Sequence, residues 1–94
     1  MPRFIIERTY DVDMEMMQNV GRRSKQLAAE EFPGQIIWEH SHVVVDSEGN
    51  VKSFCVYDAP DEDTVRRHAV MLGNHVVDHV YEIGGDVTPA DFPL

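Results

Sequence analysis

Several things that commonly signal function are scarce in this chain. It has one cysteine, Cys55, so no disulfide can form within it, and inside an apolar stretch that thiol reads as a small buried hydrophobe. It has 8 lysines and arginines against 17 aspartates and glutamates, a formal net charge of −9. Nucleic acids and anionic membrane surfaces are held by cationic patches, so this balance argues against both partners and is compatible with cations. No apolar run approaches the roughly 20 residues that span a bilayer. The opening MPRFIIERTY ends its short apolar run at Glu7, which is not the pattern of a signal peptide, and the expected compartment is the cytoplasm. No phosphate-cradling loop is present, and Ser41 has no nucleophile-elbow motif around it.

What is present is a hairpin. Ile36 to Pro60 reads IIWEHSHVVV-DSEGN-VKSFCVYDAP, two β-forming runs around a short loop with Gly49. Before it, Phe4–Tyr10 alternates as a strand. Asp11 and Asp13 can cap a helix that carries Met17, Val20, Ser24, Leu27 and Ala28 at helical spacing and stops at Phe32-Pro33-Gly34. After it, Asp61 can cap a second helix with Val65, His68, Ala69 and Leu72 on its apolar stripe and Gly73 at its end. Val76–Ile83 reads as a last strand.

The order β-α-β-β-α-β predicts a ferredoxin-like α+β domain over residues 1–85, with residues 86–94 as an irregular tail. In that topology a four-stranded antiparallel sheet has both helices on one face, and the first and third strands are central. The other face is open and apolar in part, so a homodimer through it is expected.

Strand alternation then sorts the candidate chemistry. Phe4, Ile6, Phe54 and Val56 suit the helix side, which leaves Glu7, Cys55 and Tyr57 to look out of the open face. If Trp38, His40 and His42 share that face, they flank Cys55 and Tyr57. Glu7, His40, His42 and Cys55 make a plausible first-row transition-metal set of imidazole, carboxylate and thiolate, with Tyr57 behind them. His-x-His on a strand points both rings the same way with Cα atoms about 6.5–7 Å apart. His79 can approach Glu7 only if the register of the last strand allows it, and His68 reads as a satisfied, partly buried histidine.

MPRFIIERTY, WEHSHV, KSFCVYDAPDEDTVRRHA and VDHVYEI together resemble a family of small bacterial proteins long treated as a domain of unknown function, one member of which binds nickel. The resemblance covers nearly all of residues 1–83 and implies a ferredoxin-like dimer that binds nickel or another divalent transition metal. The positions matching its pattern are Glu7, Trp38, His40, Ser41, Cys55, Tyr57 and Asp58. Two features depart from it: His42 stands where Tyr is expected, and the first helix is longer and richer in Met.

Three functional readings follow. The first is a non-catalytic, cytoplasmic, dimeric nickel-binding protein. The second is a small dimeric α+β-barrel enzyme of oxygenase or isomerase type, using Glu7, His40 and Tyr57 on an organic ligand; a buried pocket lined by Met14, Met16 or Met17 would favour it. The third is a ligand-sensing module without chemistry.

Overall fold

The computed structural model describes all of residues 1–94. Its elements are β1 (Arg3–Tyr10), α1 (Met17–Glu31), β2 (Ile37–Val45), β3 (Val51–Asp58), α2 (Glu62–Leu72) and β4 (His75–Glu82). The strands form one antiparallel sheet in the order β2-β3-β1-β4, which is the ferredoxin-like α+β arrangement expected from the element order. No helix is long and apolar enough to cross a membrane.

Local chemistry explains the boundaries. Asp13 accepts a hydrogen bond from the Met16 amide at 3.2 Å and starts a short 3-10 turn that leads into α1. Asp61 accepts from both the amide (2.8 Å) and the hydroxyl (2.7 Å) of Thr64, which caps α2. Gly73, at φ 71°, closes α2 by donating its amide to Ala69 O, a left-handed conformation that costs glycine little. In the hairpin loop, Asp46 Oδ1 takes the amides of Glu48 and Asn50, and these bonds, the one from Asn50 first, hold its carboxyl below the ordinary carboxylate range.

The main core lies between sheet and helices. Phe4 and Ile6 of β1 pack with Ala28 of α1, Phe32 just beyond its end, Cys55 and Tyr57 of β3, and Val65 and Ala69 of α2. A smaller cluster of Tyr10, Val20, Val51 and Leu72 closes the end of the sheet nearest the hairpin loop.

The faces of two strands differ from those expected of the sequence. The register pairs Phe4 with Tyr57 and Ile6 with Cys55. Residues directly opposite on paired strands share a face, so burying Phe4 and Ile6 carries Tyr57 and Cys55 to the helix side. Phe54 and Val56 face the open side instead. Both faces of β3 are apolar enough to be buried, and a one-residue difference in register exchanges them. The second difference is in β2. Trp38 opposes Tyr57 while His40 opposes Val56, with an irregularity at Glu39. This bulge breaks the period of two. Trp38 and Ser41 therefore lie on the helix side, and His40 and His42 on the open side.

Candidate functional site: the open face of the sheet

The open face carries most of the exposed chemistry. The register places His42 (β2), Phe54 (β3), Glu7 (β1) and His79 (β4) in one row across it. The neighbouring row is His40, Val56, Ile5 and Tyr81.

At the β2 edge, the rings of His40 and His42 stand 5.3 Å apart, edge to face. The His40 side chain is 49% exposed, and its Nδ1 lies 3.6 Å from Glu39. Metal–nitrogen bonds of about 2.0–2.1 Å leave two rings on one tetrahedral ion with centroids roughly 5 Å apart. The pair fits that requirement.

At the other edge, His79 Nδ1 lies 3.1 Å from Glu7 Oε1. The ring stacks on Tyr81 and its side chain is 57% exposed. The second Glu7 oxygen pairs with Lys52 Nζ at 3.1 Å. Lys52 also reaches Asp78 (3.0 Å) and the Thr9 hydroxyl (2.8 Å), and Thr9 donates to Asp78 at 2.6 Å. Asp78 is available because β4 bulges between His79 and Val77, the partners of Glu7 and Arg8. The Lys52 bond, then the His79 bond, hold the Glu7 carboxyl below its ordinary range; Asp78 is lowered by Thr9 and then Lys52. Asp78 and Glu7 in turn raise Lys52. Both oxygens of Glu7 are thus engaged, and one of them orients an imidazole whose Nε2 is left free.

The four residues expected to share an ion do not converge within one chain. Cys55 is buried on the other side of the sheet. Glu7 and His42 are two strands apart, about 9.5 Å at the usual strand spacing. No group of three or more His, Cys, Asp or Glu side chains gathers closely enough to hold a metal within the single chain. The accompanying residues are similarly divided. The Trp38 indole donates to Ser41 Oγ at 2.9 Å on the helix side, and Tyr57 is in the core. Asp58 lies at the end of the open face, 3.9 Å from Arg3, which also grips Glu39 with two 2.9 Å hydrogen bonds.

His79 is the open-face residue that pattern reading left unplaced. Its only sequence signal is alternation in VDHVYE, and the Asp78 bulge shifts that alternation.

Behind the sheet, a cleft of about 220 Å³ opens between α1 and β2. Met17 lines it, whereas Met14 and Met16 are exposed elsewhere. Glu7 and His40 are on the opposite face of the sheet, so the acid/base trio expected of an enzyme is not assembled. Burial pushes the remaining member, Tyr57, up to about 12.

A family model described as nickel responsive protein SCO4226-like matches residues 4–83. The chain belongs to this family. No curated protein sequence matches it significantly. A solved structure, that of SnoaB, a cofactor-independent oxygenase from Streptomyces nogalater, matches with a TM-score of 0.50 and 15% identity, covering 94% of this chain and 95% of that one. The likeness to SnoaB is one of fold.

Proposed function

We propose that this protein is a cytoplasmic homodimer that binds nickel, or a neighbouring divalent first-row ion, through imidazoles of its open sheet face. The observation that carries the reading is the pairing of two half-exposed, geometrically compatible rings, His40 and His42, on one edge with an oriented imidazole, His79, on the other. Imidazole suits nickel, copper and zinc alike, and the family membership favours nickel.

Dimerisation is what unites the two edges. Ile37, Val44, Val76 and Tyr81 are exposed large side chains on the open face. Burying them against a second copy removes apolar area from water. A two-fold axis running along the strands lays the β2 edge of one sheet over the β4 edge of the other. His42 and His79 occupy the same row, so that operation sets His42 opposite His79 of the partner subunit. Glu7 then acts as the carboxylate behind a histidine ligand rather than as a ligand, a common arrangement that fixes ring orientation and tautomer. Bound there, the ion supplies a Lewis-acidic centre or a regulatory signal; the chain's own residues supply nitrogen donors and hold His79 in place.

The test is nickel and zinc titration calorimetry on tag-free protein, with His40→Ala, His42→Ala, His79→Ala and Cys55→Ser. Saturable binding that is lost in the three histidine variants, retained in Cys55→Ser and accompanied by unchanged circular dichroism supports the reading. Absence of binding to either ion at micromolar concentration overturns it. Sedimentation at increasing protein concentration tests the dimer separately.

A further inference from the structure

Arg8 is the buried cation of this chain, and it has no counter-ion. Its position in β1 alternates with Phe4, Ile6 and Tyr10, so it enters the core from the helix side with only 1% of its surface exposed. Its Nε and Nη2 are buried without a hydrogen-bond partner. It is in none of the protein's ion pairs, although Arg3, Lys52, Arg66 and Arg67 all pair with carboxylates. Around it stand the Tyr57 ring, 5.4 Å from the guanidinium carbon, together with the Tyr10 hydroxyl and the Cys55 thiol. Burial works against its charge, but Tyr57, Cys55 and Tyr10 outweigh it and hold the guanidinium above its ordinary pKa, so it remains a cation at neutral pH without a carboxylate partner. Seventeen acidic residues are available in the sequence and none lines this cleft.

Burying a charge without a partner costs several kcal/mol, so a chain that keeps Arg8 there needs something to offset it. The guanidinium lines the 220 Å³ cleft behind the sheet. Near it, Tyr10 and Ser53 satisfy each other at 2.8 Å, but Ser24 Oγ is a second buried polar atom without a partner. The rest of the wall is largely apolar, with Met17, Val20, Leu72 and Trp38 among its residues. A dry cavity of about 150 Å³ holds a benzene ring, and the additional volume here admits a carboxylate. An all-polar inorganic anion would leave the apolar wall unused.

We propose that this cleft is the binding site for a small organic acid with an apolar body, its carboxylate paired with Arg8 and within reach of Ser24. Arg8 and the open-face imidazoles lie on opposite sides of the sheet, so this site is independent of the proposed nickel site. A planar guanidinium offers a carboxylate two parallel hydrogen bonds, and the low dielectric of the cleft strengthens them.

The experiment uses the full chain in the presence of a metal chelator. Benzoate, benzamide and inorganic phosphate are titrated while thermal unfolding and backbone amide NMR shifts are followed. Benzoate is expected to raise the Tm saturably and to shift the amides of Ser24 and Ser53, with benzamide and phosphate about tenfold weaker or worse. Arg8→Met is expected to abolish the benzoate effect while unfolding, without ligand, at no lower temperature than wild type, since it removes a buried charge that no carboxylate partners. Should Arg8→Met not fold, Arg8→Lys keeps the charge without the fork and is expected to weaken benzoate about tenfold. The proposal is overturned if benzoate leaves the wild-type Ser24 and Ser53 amides unmoved, as a cleft filled by ordered water would, or if phosphate or benzamide matches benzoate.

Discussion

The indole of Trp38 donates a 2.9 Å hydrogen bond to the hydroxyl of Ser41, three residues further along the same strand. In a regular strand those two side chains would lie on opposite faces. They meet because Glu39 is bulged out of the ladder with β3, and the same bulge turns His40 and His42 toward the open face. One hydrogen bond thus marks the point at which the strand changes phase between core and candidate metal edge.

That bond should be measurable as a coupling. Trp38→Phe and Ser41→Ala each remove it. In a double-mutant cycle followed by urea unfolding, the two changes are expected to couple by about 0.5–1.5 kcal/mol. Strict additivity would mean that the bulge is held by strand pairing alone.

Glu7 is expected to act on nickel through His79. Glu7→Gln should weaken nickel binding by about 10–100-fold, as loss of a carboxylate behind a histidine ligand does elsewhere, with the fold unchanged by circular dichroism. Thr9→Val touches the same Lys52–Asp78 network but not His79, and should leave nickel affinity at the wild-type value. Equal affinity in Glu7→Gln and wild type would remove Glu7 from the site.

Stability should fall on mild acidification. His68 Nε2 lies 3.2 Å from Ser24 O, its Nδ1 is buried without a partner, and it is packed by Phe32 and Tyr57 with Arg8 nearby. Burial first, with Arg8 and His75 adding repulsion, holds its folded pKa below the ordinary histidine value; burial does the same for His75. The unfolded chain therefore takes up protons first. Full stability is present above about pH 6.5 and is lost as the pH falls below it, by up to about 1.4 kcal/mol per pH unit for each histidine. The depressed carboxylates Glu7, Asp46, Asp61 and Asp78 lose their contributions lower, in the carboxylate range. Urea unfolding from pH 7 to pH 5 is expected to show a slope that flattens in His68→Gln; an unchanged slope would refute the assignment.

Gly21→Ala should stabilise the protein by about 0.5–1 kcal/mol. Gly21 is within α1, where glycine is costly relative to alanine. A Cβ there would meet Trp38 Cη2 at 3.9 Å, an ordinary contact. A fall in the denaturation midpoint would mean that the space between α1 and Trp38 has no room for a methyl group.

Much of this protein is written locally. The alternation of Phe4–Tyr10, the caps at Asp13 and Asp61, the Gly73 stop and the loop at Asp46–Asn50 fixed element order, and element order fixed the ferredoxin-like fold. These signals work because each depends on a few neighbouring residues: a side chain that reaches an amide, a backbone that tolerates positive φ, or a period of two or 3.6. The exposed pair His40 and His42 was legible for the same reason, as was Glu7 on the open face.

Only the tertiary structure decided which chemistry meets. β3 offers two apolar faces, and pairing with Phe4 and Ile6 selected Cys55 and Tyr57 for burial, taking the thiol out of the candidate metal set. The bulge at Glu39 separated Trp38 from His40, and the bulge at Asp78 brought His79 to Glu7. Register and bulges are settled by which packing buries the most area across strands distant in sequence, and no local pattern carries that comparison. The isolation of Arg8 has the same origin: its sequence neighbours place it on the core face, but only the assembled cleft reveals that no carboxylate meets it there.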